Sequence, residues 1–213
     1  MAHRLEPLGP WLRPAAHLAM AAPLAFLAFG WAELLLWNPQ SLRLSAEPVA
    51  YTHNSLGKMA LKALLLALAA TPVRLLTGWG KVMTVRRALG LWAFAYAVLH
   101  LLAFLWLDLD FRLAELWRET LERPFILAGM AAFLAMLPLA LTSSNRAIRS
   151  MGAKRWRALH RLAYLAAAAG ALHFILRVKG WQAEPLVYAG ILLLLLALRL
   201  PALVRRRSVA SSA

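Results

Sequence analysis

The sequence contains no cysteine. Disulfides, thiolate nucleophiles, cysteine-ligated iron–sulfur clusters and covalent C-x-x-C-H haem attachment are therefore excluded. Acidic residues are scarce too: nine Asp and Glu stand against 24 Lys and Arg, a formal net charge of +15. There is no Gly-rich dinucleotide loop, no soluble nucleotide-binding domain and no usable internal repeat. Charge of either sign makes up only 15% of the 213 residues, whereas 62% are hydrophobic and the mean hydropathy is +0.63. That balance moves the chain out of the globular class and into the membrane class.

The apolar residues come in long runs. A helix needs roughly 20 apolar residues to cross a hydrocarbon core of about 30 Å. Runs of this kind cover residues 15–37, 56–76, 88–107, 124–142, 158–178 and 185–204. The expected fold is all-α, an integral membrane bundle of about six transmembrane helices. Its parts are an N-terminal segment 1–14, a transmembrane domain 15–204 and a basic tail 205–213. The first run passes 20 residues without a polar cleavage region, so it reads as a retained helix. Pro23 is expected to kink it. Segment 108–123, with Leu and Trp at helical spacing beside acids, is expected to form a short interfacial helix.

The charges sort by side. Segments 73–87 and 143–161 carry four and six basic residues with no acid, and the tail adds Arg205, Arg206 and Arg207. Segment 108–123 carries five acids against three arginines. The positive-inside rule then puts both termini in the cytoplasm. Cations flanking apolar runs meet lipid headgroups, which argues against a nucleic-acid partner despite the total charge.

Of the histidines in or beside the runs, three stand out: His100, His160 and His173. An ionisable side chain within a span is a candidate functional group, although a single histidine can simply hydrogen-bond a neighbouring helix. His100 and His173 fall at matched depth on spans running the same way, so together they suit the two axial positions of one haem iron. Small residues around them (Gly90, Ala93, Ala97, Ala167, Gly170) leave room for a flat ring or for close helix packing. Arg161 or Arg157 is a candidate for a haem propionate, or else a topology charge. His160 precedes His173 by thirteen residues, about 20 Å along a helix, too far to share that haem. A second haem, or a quinone or flavin site, is open to it. His3, His17 and His53 are weaker candidates, and the tryptophans read as an interfacial belt.

The segments RRALGLWAFAYAVLH and LTSSNRAIRSMGAKRWRALHRLAYLAAAAGALH, with YTHNSLGK before them, resemble the haem-binding membrane subunits of bacterial periplasmic methionine-sulfoxide reductase systems. These belong to the ferric-reductase-like transmembrane group. The resemblance runs from about Pro48 to Leu198. It implies a b-type haem protein of the inner membrane that takes electrons from the quinone pool or from reduced flavin, with FMN a possible cofactor. It passes them to a periplasmic molybdopterin-containing reductase, which repairs oxidised methionine in proteins. The chain would then be the electron-transfer subunit, with catalysis in its partner. The family's haem histidines fall on His100, His160 and His173. The place of a fourth falls at about Arg86 or Arg87, where histidine is absent, so one haem is assigned to His100 and His173 and a second lacks its opposite ligand. Two alternatives stay open: a b-type cytochrome serving another reductase, such as a metal reductase, and a non-redox scaffold or transporter.

Overall fold

Inside lipid no water is present to satisfy backbone amides and carbonyls, so a spanning segment must pair them within itself. The computed structural model of the chain describes residues 10–178 and 180–199. Among those residues it contains helices and no strand. The helices are α1 (Leu12–Leu36), α2 (Pro48–Thr77), α3 (Met83–Leu107), α4 (Leu113–Glu122), α5 (Pro124–Leu141), α6 (Asn145–Met151), α7 (Ala153–Leu159), α8 (Leu162–Arg177) and α9 (Ala183–Ala197). Five stretches are long and apolar enough to cross a membrane: α1, α2, Gly80–Leu107, α5 and Ala153–Arg177. The expected sixth span is present as the shorter apolar helix α9. Its expected end at 200–204, the basic tail 205–213 and residues 1–9 lie outside the described residues.

Three elements differ from the sequence expectation. Helix α2 starts eight residues before the apolar run, with Pro48 in its first turn, where a missing N–H costs nothing. The polar residues of that extension are satisfied locally: Thr52 donates to the Pro48 carbonyl at 2.8 Å and accepts from Trp31 Nε1 at 2.9 Å. Helix α3 starts at Met83, which draws Arg86 and Arg87 from the expected loop into its first turns. The fifth span is two helices, α7 and α8, that meet at His160 and Arg161. There the ladder tightens, as Arg161 N–H bonds Ala158 O and Tyr164 N–H bonds Arg161 O, three residues apart. The expected short helix after α3 is present as α4.

Helices α2, α3, α5 and α8 form the central bundle, with α2 against α3, α5 against α8, and α3–α5 and α2–α8 contacts closing it. Small side chains fill the middle: Ala63, Ala93, Ala166 and Ala167 are fully buried. Large ones such as Leu18, Leu36, Leu76 and Leu141 are largely exposed. Water would oppose this arrangement and lipid favours it, because helix association there depends on close backbone approach.

The two flanking helices are pinned by polar contacts. α1 meets α3 through the fully buried Tyr96, whose hydroxyl donates to the Met20 carbonyl at 2.5 Å, three residues before Pro23. Trp92 Nε1 adds a bond to His17 Nδ1 at 2.9 Å, which gives His17 a structural role. α9 is tied to α2 through Arg199, buried just past its end. Pro72 lacks the N–H that would have bonded the Leu68 carbonyl four residues earlier. The Arg199 guanidinium donates to that carbonyl, and also to the Tyr164 hydroxyl at 2.6 Å.

Every acid among the described residues lies at one end of the bundle, on or beside α4 and the ends of α1, α2, α3 and α9 that meet there. The opposite end carries cations alone among those residues, including Arg74, Arg86, Arg87, Arg155 and Arg157.

Arg199→Met leaves the Leu68 carbonyl and the Tyr164 hydroxyl without partners. It should cost about 1–3 kcal/mol, read as a lower melting temperature in detergent. In a Pro72→Ala background the helix can bond Leu68 itself, so the same change should cost measurably less.

Candidate functional site

The central four helices enclose a cavity of about 720 Å³ towards the acidic end. That volume is within the range of a cofactor site. Its walls are mainly apolar, and His100 of α3 and His173 of α8 enter it from opposite sides. Their ring centroids lie 6.1 Å apart with the planes at 78°. This separation matches two metal–nitrogen bonds of about 2.0–2.1 Å each plus the half-widths of two rings.

Each imidazole leans on a glycine of the paired helix. A Cβ on Gly129 of α5 would stand 2.8 Å from His173 Nδ1, and one on Gly57 of α2 would stand 3.3 Å from His100 Cε1. The closeness lets His173 Nδ1–H donate to the Phe125 carbonyl at 2.6 Å. A carbonyl only accepts, so the proton is on Nδ1 and the Nε2 lone pair is free to ligate. His100 Nδ1 is buried with no hydrogen-bond partner, with the His53 backbone beside it. The two halves share a register: Phe125 precedes Gly129 by four residues, and His53 precedes Gly57 by four. An orphaned buried nitrogen on one side, a fixed tautomer on the other and a mainly apolar cavity between the two rings fit a bis-histidine haem. Among the described residues no group of three or more His, Cys, Asp or Glu gathers as a metal cage. A haem iron needs only two axial ligands from the protein.

His160 and Arg161 are not brought to this cavity. His160 sits at the basic end, stacked on Trp156 with centroids 3.8 Å apart. Thr142 spends its hydroxyl proton on the Pro138 carbonyl at 2.6 Å. The 3.1 Å contact of Thr142 Oγ1 with His160 Nε2 is therefore an N–H donated by His160, which leaves Nδ1 as its free nitrogen. Arg86 of α3 is the charge that acts on His160. Arg161 is exposed.

The basic groups at the cavity are others: Lys58, Arg123 and Arg177 line it, with His53. Sequence reading missed Gly57, Gly129 and Arg177. The shared spacing was the available signal, because each glycine precedes its histidine by 43 or 44 residues. His53, placed on α2, packs edge-on to His100 at 5.8 Å and donates from Nε2 to Asp108 at 2.7 Å.

Comparison with known proteins gives a consistent result. The family described as ferric reductase like transmembrane component matches residues 55–171. The chain is 50% identical over 166 residues to the protein-methionine-sulfoxide reductase heme-binding subunit MsrQ of Rhodospirillum rubrum, covering 78% of this chain and 80% of that one. To the protein of the same name from Deinococcus radiodurans it is 43% identical over 208 residues, 97% and 98% of the two chains. The Polaromonas naphthalenivorans counterpart is 41% identical over 191 residues, 89% and 86%.

Gly129→Ala forces His173 away from the Phe125 carbonyl. Loss of that buried bond should cost about 1–3 kcal/mol, measured by thermal unfolding in detergent. A Cβ at Gly90 meets nothing within 4 Å, so Gly90→Ala should be neutral or stabilising by up to about 1 kcal/mol.

Proposed function

The chain belongs to the ferric-reductase-like transmembrane family, among the haem-binding subunits of protein-methionine-sulfoxide reductase systems, and from that premise we propose how its residues move electrons across the inner membrane. The protein is a multi-pass membrane cytochrome. It feeds electrons to a periplasmic molybdopterin-dependent reductase, and that partner reduces methionine sulfoxide in oxidised proteins. The chain itself is the electron-transfer subunit. The donor is the quinone pool or a reduced flavin such as FMN, met at the basic, cytoplasmic end where both termini lie.

The observation that carries the site assignment is the facing pair His100 and His173, each seated on a glycine. His100 and His173 would hold a b-type haem through their imidazole nitrogens. When bound, the haem would supply one-electron chemistry, which favours electron transfer over chemistry on a substrate. The Phe125 carbonyl orients His173 and raises its basicity as a ligand. The apolar walls of the cavity exclude water from the site. Residues 15–204 make up the haem domain, between a cytoplasmic segment 1–14 and a basic tail 205–213. His160, with Arg161 beside it, is the position for a second cofactor at the basic end. Its free Nδ1, the nearby Arg86 charge and the Trp156 face support that reading.

The test is a reduced-minus-oxidised spectrum of the detergent-purified protein with pyridine-haem stoichiometry. A low-spin b-type signal in the wild type, lost or converted to high spin in both His100→Ala and His173→Ala, is the expected result. A stoichiometry near two that falls by about one in His160→Ala supports the second position. No b-type spectrum after expression with ample haem would sink the electron-transfer reading and return the histidines to packing.

A further inference from the structure

The cavity mouth at the acidic end carries four basic side chains, and three of them are matched to acids. His53 bonds Asp108 at 2.7 Å, Lys58 meets Glu184 at 3.1 Å, and Arg123 meets Glu119 at 2.5 Å. Arg177 differs. Its side chain donates to the neutral amide oxygen of Asn54, across from α8 to α2, and no ion pair joins it to a carboxylate among the described residues. Its charge nonetheless reaches both imidazoles, His100 and His173.

Its position follows from helix geometry. Arg177 is four residues after His173, on the same face and about 6 Å further towards the acidic end. Asn54 stands three residues before Gly57, on the neighbouring helix α2. The guanidinium thus lines the cavity within electrostatic reach of both imidazoles, with a cross-helix bond to Asn54 fixing its direction.

Resting on the haem reading above, we propose that Arg177, positioned by Asn54, binds a propionate carboxylate of the haem held by His100 and His173. A planar guanidinium with parallel N–H donors matches a carboxylate, and a cation without an acid partner among the described residues is stabilised by gaining one. The assignment turns the propionate edge of the ring towards the acidic end. Arg161, at the far end of α8, takes no part. Removing the guanidinium leaves the carboxylate charge uncompensated, which disfavours adding an electron to the iron.

The experiment compares wild type, Arg177→Met, Arg177→Lys and a control, Arg118→Met, whose side chain is paired with Glu115 on α4 away from the cavity. Potentiometric titration and resonance Raman spectra are recorded on each purified protein. Arg177→Met should lower the midpoint potential and shift the propionate bending band while the bis-histidine low-spin signature persists. Arg177→Lys should keep the potential near wild type yet still shift the band, because a point charge replaces a fork. Arg118→Met should change neither. If Arg177→Met does not accumulate, the band in Arg177→Lys decides. An unchanged band and potential in the Arg177 variants, with a normal wild-type haem spectrum, overturns this assignment and leaves the haem reading standing. A wild type without a b-type spectrum removes both.

Discussion

Two imidazoles must enter a lipid-embedded bundle from opposite walls and stop a metal's width apart. Much of the central packing follows from that requirement. An unpartnered polar ring at this depth is costly, and a helix offers few spare acceptors. On the α5–α8 side the solution is a glycine. Gly129 removes the side chain that would hold the helices apart, and His173 then reaches a backbone carbonyl one turn away. The α2–α3 side repeats the arrangement with Gly57 and His100, but its imidazole nitrogen is left without a bond. The bundle is therefore two helix pairs built on one pattern, closed face to face around the cavity.

Prolines impose a second requirement. Pro23 and Pro72 each interrupt a ladder that has no water to repair it. Arg199 answers the second from beyond α9, at the Leu68 carbonyl, and Tyr96 of α3 holds α1 at the Met20 carbonyl, three residues before Pro23. These contacts fasten α1 and α9 to the central four helices, so a local defect in one helix becomes a specific attachment point for another. Arg199 sits close enough to Arg86 and Tyr164 for their charges to interact. Among the described residues the cationic end is thus organised around buried and exposed arginines.

Much of this was legible in the sequence because lipid simplifies the code. Apolar length marks the spans, and charge bias marks the two ends. The matched depth of His100 and His173 follows from counting residues. What was not legible depended on contacts between helices. The start of α2 was hidden because THNS is polar, and only the bonds from Trp31 and to Pro48 show how it is satisfied inside a helix. The break at His160 leaves no proline or glycine as a marker, since it is a tightening of the ladder alone. The small residues singled out around the histidines included Gly90, which faces open space, whereas Gly57 and Gly129 touch the rings. Arg161 was the nearest cation to a histidine in sequence, but helical geometry puts Arg177 on the face of His173 and Arg161 about 18 Å away along the axis.

The arrangement of the site also limits what the chain can do. A haem held by the two histidines would supply one-electron transfer, so the bond-breaking chemistry falls to a partner outside the bilayer. The protein's own contribution is depth and direction. The His100–His173 cavity lies towards the acidic end, while His160 and the arginines stand about 20 Å away along the helix axis, at the other end. One cofactor at the cavity spans only part of that length. The second cofactor proposed at His160 would shorten the remaining gap, and a free nitrogen with a cation beside it is what supports it there.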